Sequence, residues 1–538
     1  MIFSALFGWN SLIIFGTVLI ALYFYLTRNF NYWSSRGISG PKPIPVMGGS
    51  YQVFHKTIPE LGWDNYQKYG KIYGTYMADR PVLVVGDPKL IKNIFVKDFH
   101  LFVDRNDWIT YDPINDRSLL NLKGDDWKKM RSIISPTFSS GKMRSMHPLI
   151  IDCIKRLDRY MSDKHEVEMK KAMGGLTMDV IATCAFGTRI DAYINSSSSS
   201  SSNSSDQKPS DFVLNAQKVF RGNWRLYVVL TVMAISTKLL KWSGIKFLEP
   251  GAERFFVSVI QSIVDKRMAA AAADGLTNQK HNDYIQLMIN AKNKTIDNYS
   301  NDSHQVVGDD KTEEIYGSTD SLKYSRPKDD ITDEDLLATS MLFFVAGYET
   351  TATTLSTLMH SLAVNQDCQQ KLYEEVTKQF DGKYDYESIG QMPYLEACVA
   401  ETLRIYSPIT SLSRHPVEDY IIDDISLTIP KGMPVMINVS ALHRNPEYYP
   451  EPDRWNPERF MPYNRDKLVP YTYMPFGLGP RNCVGMRFAL METKTAIAYL
   501  ITKYKFVKTP KTTESLKSKK YEFLFTTDDI YVGVENRN

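Results

Sequence analysis

The chain has 538 residues, of which 43% are hydrophobic and 23% are charged, so it has ample apolar material for a large globular core. Its net charge of +3 gives no support to nucleic-acid binding. The five cysteines stand at positions 153, 184, 368, 398 and 483, without a C-x-x-C pair. This spacing offers no ligand set for zinc ribbons or iron–sulfur clusters and argues against a disulfide framework.

The first 27 residues carry no charged side chain, and residues 12–26 are almost wholly apolar. This is about the length of a helix that crosses ~30 Å of hydrocarbon. A cleaved signal peptide is the alternative, but the charged segment that should precede its apolar part is missing. Positive charge follows at Arg28, Arg36 and Lys42. We therefore expect a transmembrane signal anchor over 1–27, with the rest of the chain on the cytosolic side.

A proline-rich linker, residues 28–48, follows the anchor and contains GPKPIPVMGG. The remaining residues, 49–538, are expected to form one catalytic domain. Two polar stretches, about 195–210 and 293–330, interrupt its pattern and are expected to be insertions at the surface. The apolar segment 224–247 is too short to span a bilayer, and either a core helix or a surface that dips into the membrane accounts for it.

Strand-like runs occur at 71–87 and at 420–438, while the middle of the chain has helical periodicity. The fold class expected is mainly α with a small β portion (α+β). The longest predicted helix begins after Thr332, which forms a capping-box pattern with Asp335. Inside it, Gly347 lacks a side chain, and Thr350 can bond back to the carbonyl of Ala346. This pair could open one turn to a small ligand, although a tolerated core glycine is the commoner explanation.

A second helix is predicted from Pro393 to the residues before Pro408. It places Glu401 and Arg404 on one face at i, i+3 spacing. Surface pairs of this kind are common, so the pair alone indicates no function.

The stretch FGLGPRNCVG (476–485) sets Cys483 in a glycine-rich turn before a helix-like run. The turn's N–H groups, the helix N-terminus and nearby Arg481 favour a thiolate. Such a sulfur can be a nucleophile, a redox sensor or a metal ligand, although an isolated buried cysteine is more often inert. A nucleophile would need a base, and the nearest histidine, His443, lies far upstream. The other functional option is the proximal ligand of a haem.

The same ten residues resemble the haem-binding signature of the cytochrome P450 family, Phe-x-x-Gly-x-Arg-x-Cys-x-Gly. Every fixed position matches, at Phe476, Gly479, Arg481, Cys483 and Gly485. Within this family, the sequence is most similar to the microsomal, family-three-like group that oxidises drugs and steroids. The two polar insertions, about 195–210 and 293–330, are longer than those that this group usually carries.

Three further stretches match this family in order and spacing. AGYETT resembles its oxygen-activation stretch, with Glu349 as acid and Thr350 as alcohol. ETLR and PERF resemble its buried Glu–Arg–Arg network, which would consist of Glu401, Arg404 and Arg459. WKKMR, with Trp127 and Arg131, resembles the helix that lies over a haem propionate.

The resemblance implies the cytochrome P450 fold and a haem b (iron protoporphyrin IX) held by Cys483 as axial ligand. Thr350 and Glu349 would handle protons, and Ala346 and Gly347 would leave room for dioxygen. Phe476 would limit water near the sulfur. The residues expected to meet the propionates are Trp127, Arg131, Arg414 and Arg481, with Arg105 as a weaker candidate.

The activity implied is insertion of one atom of dioxygen into lipophilic molecules at the endoplasmic reticulum membrane. No G-x-G-x-x-G segment follows a strand, so electrons would come from a separate NADPH–cytochrome P450 reductase, with cytochrome b5 as a further candidate. Lys128 and Lys129 could meet that partner. Two rivals stay open: a reductase-independent peroxide isomerase or dehydratase, and a non-catalytic haem-binding protein.

Overall fold

The structure is a computed structural model of the chain. It describes residues 2–105, 110–190, 192–193, 211–220, 229, 232, 237–246, 248–273, 283–293, 315–316, 331–379, 384–520, 522 and 524–537. The polar insertion at 195–210 lies outside the described residues, as does most of the second one.

Helices dominate the described part of the chain. In chain order they are α1 (Ile2–Thr27), α2 (Ile58–Tyr69), α3 (Pro88–Lys92), α4 (Pro113–Asp116), α5 (Gly124–Ile134), α6 (Ser140–Met161), α7 (Met169–Phe186), α8 (Asp211–Phe220), α9 (Thr237–Ser243), α10 (Pro250–Ala273), α11 (Tyr284–Lys292), α12 (Asp333–Val364), α13 (Gln366–Gln379), α14 (Tyr386–Gly390), α15 (Pro393–Ile405), α16 (Val439–His443) and α17 (Met486–Lys503).

The strands are short and form three small sheets. They are β1 (Ile72–Met77), β2 (Arg80–Val85), β3 (Glu166–Glu168), β4 (Ser411–Arg414), β5 (Tyr420–Ile422), β6 (Leu427–Ile429), β7 (Val435–Asn438), β8 (Tyr504–Val507) and β9 (Tyr531–Asn536). The strand orders are β1-β2-β7-β4, β3-β9-β8 and β5-β6. Within the first sheet β1 and β2 are antiparallel, with Ile72 opposite Val85, whereas β2 and β7 are parallel.

The expected fold class is confirmed, because the chain is mainly helical with a small sheet portion. The strand-like runs form β1 and β2, and then β5, β6 and β7. Helix α12 begins where its capping box predicts: Thr332 accepts from the N–H of Asp335, whose carboxylate accepts from the N–H of Thr332. Helix α15 has Pro393 in its first turn, where a missing N–H costs nothing.

Helix α1 coincides with the predicted anchor over 1–27. Among the residues that the structure describes, no helix combines the length and the apolar character needed to cross a membrane. The helix itself is therefore confirmed, and its crossing of a bilayer stays a prediction.

The linker at 28–48 packs against β1 rather than standing free as a spacer. The Trp33 indole is buried, and its Nε1 donates to the carbonyl of Thr75 at 2.9 Å. A side chain at Gly74 would overlap that indole, so this glycine allows the contact. The sequence showed the prolines but gave no sign of where the neighbouring aromatic residues dock.

The core centres on α7, α12 and α17, which are buried over most of their lengths. Helices α7 and α12 approach closely enough for the Thr177 hydroxyl to donate to the carbonyl of Tyr348 at 3.1 Å. This packing fixes the middle of α12, which contains the predicted acid–alcohol pair.

Candidate active site

Cys483 lies in an irregular loop that ends where α17 begins. Gly477 and Gly479 both have positive φ, 79° and 68°, which glycine adopts without strain. A side chain at Gly479 would also overlap the carbonyl oxygen of Phe95. The motif's glycine at 479 is therefore required both by its backbone angles and by the close approach of a neighbouring segment.

Side chains from other parts of the chain hold this loop by its backbone. Arg131 of α5 donates to the carbonyl of Asn482 at 2.8 Å and to its side-chain oxygen at 2.9 Å. Arg105 donates to the carbonyl of Arg481. Within the loop, the N–H of Cys483 donates to the carbonyl of Phe476 at 2.8 Å. The bonds from Arg131 and Arg105 are charge-assisted and therefore stronger than neutral hydrogen bonds, so they fix the loop that carries the sulfur.

Arg481 binds the segments before and within α5, and its guanidinium lies 3.9 Å from the Asp104 carboxylate. This guanidinium donates to the carbonyls of Leu120 and Leu122 and lies 4.4 Å from the centre of the Trp127 ring. The charges that act on the thiol are those of Arg131 and Arg105. The Arg481 side chain is used on the α5 side of the loop, and its contribution of positive potential to the sulfur stays a prediction.

Cys483 is exposed to a molecule the size of water, although its neighbours Arg481, Asn482 and Met486 are buried. The sulfur therefore faces an internal space rather than bulk solvent. Burial raises the pKa of the Cys483 thiol, and the backbone N–H of Gly485 and the charges of Arg131 and Arg105 offset only part of this. In the protein alone, desolvation therefore outweighs the interactions from which the sequence predicts a thiolate.

One turn of α12 faces an open space in the same way. Ala346 is exposed in the middle of an otherwise buried helix, and Thr350, one turn on, is partly exposed. The Thr350 hydroxyl donates to the carbonyl of Ala346 at 2.7 Å, as the sequence predicts.

The ring of Phe138 contacts both this part of α12 and the start of α17. Phe138 stacks on Phe343 of α12 at 5.8 Å and meets Phe488 of α17 edge-on at 6.3 Å. It also lies 3.8 Å from where a side chain of Gly485 would be. We infer that the accessible faces of Ala346 and Cys483 border one internal space.

Gly347 has a different role from the one expected. A side chain there would overlap Ile181 of α7, so the glycine admits a neighbouring helix and not a small ligand. Of the two residues expected to leave room above the site, Ala346 is the one that faces open space.

The predicted acid, Glu349, is buried and forms an ion pair with Lys170 of α7 at 2.9 Å. Lys170 is partly exposed, with 24% of its side-chain surface accessible. The pair therefore connects a buried carboxylate beside Thr350 to a group at the protein surface. Sequence patterns gave no signal for Lys170, because it lies on α7 and its partner on α12, with four described helices between them.

Arg105, Arg414 and Arg481 form a cluster of positive charge. Burial depresses the pKa of Arg414 well below its usual range, and the charges of Arg105 and Arg481 depress it further. The Nε atoms of Arg105 and Arg414 are buried without a hydrogen-bond partner. Among the described residues, no carboxylate forms an ion pair with either of these two arginines. Buried charge of one sign is costly unless a counter-ion neutralises it.

These residues fit a haem. Arg481 lies 3.9 Å from the Asp104 carboxylate, whereas Arg105 and Arg414 form no ion pair with a described carboxylate. The two propionates of a haem could neutralise them, and Cys483 is an exposed cysteine that could bind its iron. Of the expected propionate partners, Arg414, Arg481 and Arg105 lie together, and Trp127 packs under Arg481. Arg131 instead holds the backbone of the cysteine loop. Phe476 is partly buried at the start of the loop.

The residues Glu401, Arg404 and Arg459 also come together. Arg404 binds both carboxylate oxygens of Glu401, at 2.7 and 2.9 Å, and Arg459 lies 3.4 Å from one of them. Arg404 also donates to the carbonyls of His443 and Pro452, at 2.6 and 2.7 Å. The Glu401 and Arg404 side chains are fully buried, and these contacts tie α15 to the segments that precede the cysteine loop.

Comparison with known proteins agrees with the fold and this geometry. Residues 38–534 match the cytochrome P450 family model. The chain is 34% identical to cytochrome P450 6k1 of Blattella germanica, over 92% of this chain and 91% of the relative. It is 34% identical to cytochrome P450 9e2 of the same species and 32% identical to cytochrome P450 3A41 of Mus musculus, over the whole chain and at least 98% of each.

The site thus defines a haem-thiolate oxidoreductase. The chain belongs to the cytochrome P450 family and is a monooxygenase. The resemblance seen in the sequence is confirmed, with insect relatives alongside the family-three relatives.

We predict that Arg404→Ala destabilises the protein by about 3–5 kcal/mol, because it leaves the Glu401 carboxylate buried without its main partner. Chemical denaturation of the haem-loaded protein measures this loss. Arg454→Ala is the matched control, since Arg454 and Glu451 form an i, i+3 pair that is 68% and 70% exposed. The control should change stability by less than about 1 kcal/mol. Equal effects of the two substitutions would show that the buried network has no special structural role.

Proposed function

We propose that this protein is a membrane-anchored monooxygenase that inserts one atom of dioxygen into lipophilic molecules, with electrons from NADPH through a separate reductase. Xenobiotics, steroids and other lipids are the substrate classes considered. The observation that carries the proposal is the exposure of Cys483 and of Ala346, on segments that both contact Phe138, in a protein whose Arg105 and Arg414 form no ion pair with a described carboxylate.

Haem b is the cofactor proposed, and it supplies the activation of dioxygen when bound. Cys483 would hold its iron through the sulfur, and Arg414, Arg481 and Arg105 would meet its carboxylates. A metal-bound sulfur must be deprotonated, and a metal's positive charge would lower the thiol pKa that burial raises.

The proton path runs through residues of α12. The overall reaction consumes two electrons and two protons for each oxygen atom inserted, and the second oxygen atom leaves as water. Thr350 is the hydroxyl on the accessible face, and its back-bond to Ala346 orients its oxygen. Glu349 would pass protons inward when its carboxylate exchanges its contact with Lys170 for one with solvent.

Apolar side chains support a lipophilic substrate. Leu342 and Phe343 of α12 are partly buried beside the turn that holds Ala346. Such surroundings favour oily molecules and keep bulk water from the reacting atoms.

An NADPH–cytochrome P450 reductase is the electron donor proposed, with cytochrome b5 as a further candidate. Lys128 and Lys129 lie on α5, the helix whose Arg131 holds the cysteine loop. Lys128 is partly exposed and pairs with Asp125 at 2.8 Å. A basic surface on this helix would steer an acidic partner to the sulfur side.

Attachment to the endoplasmic reticulum membrane is proposed from the apolar surface of α1. Leu12, Ile14 and Phe15 are 66%, 64% and 61% exposed, which is unfavourable in water for side chains of this size. Helix α9 adds Trp242, which is 88% exposed, and supports a second contact with lipid. This helix lies within the apolar segment 224–247.

We expect product formation from a panel of lipophilic substrates with NADPH and reductase, measured by mass spectrometry. In Thr350→Ala, product should fall roughly 100-fold while NADPH consumption continues, because proton delivery is impaired. Thr354→Ala is the matched control: Thr354 makes the same back-bond one turn on, at 2.9 Å, but is buried.

Turnover of hydroperoxides with none from NADPH and reductase would instead favour the isomerase or dehydratase. A Thr350→Ala variant with unchanged product yield would contradict the role of the acid–alcohol pair.

Reversing the charge of Lys128 and Lys129 together, to Glu, should slow reduction by the reductase severalfold without a change in haem content. Stopped-flow reduction at two ionic strengths measures this, and the defect should shrink in high salt. Lys508→Glu with Lys511→Glu is the control, since these lysines also form surface ion pairs, with Glu514 and Glu166. Equal slowing in both double variants would argue against docking on α5.

Removing residues 1–27 should release the protein from lipid vesicles. In flotation after alkaline carbonate washing, we expect the full chain to stay with vesicles and the truncated chain to stay in solution. Release of the full chain by carbonate would contradict a membrane-spanning anchor.

A further inference from the structure

The polar insertion 293–330 contains two residues that are not at the surface. Ile315 is 6% exposed and Tyr316 is 1% exposed. The sequence predicts a surface loop over the whole insertion, because polar and charged residues dominate it. That expectation is wrong at these two positions, where apolar surface of the insertion is buried in the protein.

The ends of the insertion lie together. Lys292, the last residue of α11, forms an ion pair with Asp333, the first residue of α12. The chain therefore leaves and returns at one place, and the buried Ile315 and Tyr316 lie between these two ends in the sequence. A long segment loses much conformational entropy when its middle is fixed, so a buried anchor there needs compensating contacts.

Tyr316 makes those contacts with its hydroxyl and with its ring. The hydroxyl donates to Glu396 of α15 at 2.7 Å, and Lys494 of α17 binds the other carboxylate oxygen at 2.6 Å. Burial would raise the pKa of Glu396, but Lys494 and the Tyr316 hydroxyl hold it below its usual range. The carboxylate therefore stays a strong acceptor for the tyrosine.

The ring of Tyr316 packs on residues that lead to the cysteine loop. It lies 5.8 Å from the ring of Tyr473 and 5.4 Å from the ring of Phe476, to which it is edge-on at 74°. The Phe476 carbonyl is the acceptor for the N–H of Cys483. Tyr316 thus packs on the residue whose carbonyl binds the N–H of Cys483.

We propose that Tyr316 is a positioning residue for the haem ligand: its ring holds Phe476, and through Phe476 it keeps the Cys483 loop in place and water away from the sulfur. The proposal deepens the proposed function and rests on it. It gives the insertion a role at the sulfur side of the site. Edge-to-face aromatic pairs are directional, so loss of one ring frees the orientation of the other.

The test compares Tyr316→Ala, Tyr316→Phe and Tyr394→Ala in the haem-loaded full chain. Tyr394 is also a buried tyrosine, on the same helix as Glu396, and none of its ring contacts involves Phe476. The ferrous protein is treated with carbon monoxide, and the thiolate-type Soret band is followed with time below the unfolding temperature. The midpoint reduction potential and thermal unfolding are measured on the same samples.

We expect Tyr316→Ala to lose the thiolate-type band severalfold faster than wild type and to have a more positive reduction potential, because water reaches the sulfur. Tyr316→Phe, which keeps the ring, should resemble wild type in both measurements, and Tyr394→Ala should change only thermal stability. The proposal is overturned if Tyr316→Ala behaves like Tyr394→Ala, or if Tyr316→Phe is as defective as Tyr316→Ala. A wild-type protein without the thiolate-type band would instead contradict the proposed function.

Discussion

The hydrogen bonds that hold the backbone around Cys483 decide where the sulfur lies, and the rest of the site depends on that position. The loop has no regular secondary structure, so its carbonyl groups need partners from elsewhere. Arg131 and Arg105 supply them from two distant segments, and Phe476 accepts the N–H of the cysteine itself. The glycines with positive φ allow the loop to follow this path. A ligand held in this way is preorganised, which limits the reorganisation required on binding.

Charge balance separates the parts of the protein that are complete in themselves from the part that needs a ligand. The buried carboxylates Glu401 and Glu349 each have a cationic partner within the chain, Arg404 and the partly exposed Lys170. Arg105, Arg414 and Arg481 carry more positive charge than the Asp104 carboxylate beside Arg481 neutralises, and burial, together with the charges of Arg105 and Arg481, depresses the pKa of Arg414. Carboxylates of a bound haem would remove this imbalance, so the cofactor also stabilises the folded protein by binding to it.

Much of the fold was predictable because its signals are local. The capping box at Thr332, the proline that begins α15 and the strand-like runs depend on neighbouring residues, and each formed the expected element. The direction of Arg481 and the ion pair to Lys170 depend on how distant segments pack, so one sequence could not supply them. The burial of Ile315 and Tyr316 has the same cause, since the polar composition of the insertion gives no sign of which residues pack against distant segments.

The coordination of iron by Cys483 is the central claim, and the spectrum of the reduced carbon monoxide complex tests it most directly. Folded, haem-containing wild-type protein should give the red-shifted Soret band of thiolate coordination, and so should Cys398→Ser, which changes a buried cysteine on α15. Cys483→Ser should lose that band. A wild-type spectrum without it, or a Cys483→Ser variant that keeps it, would contradict the account.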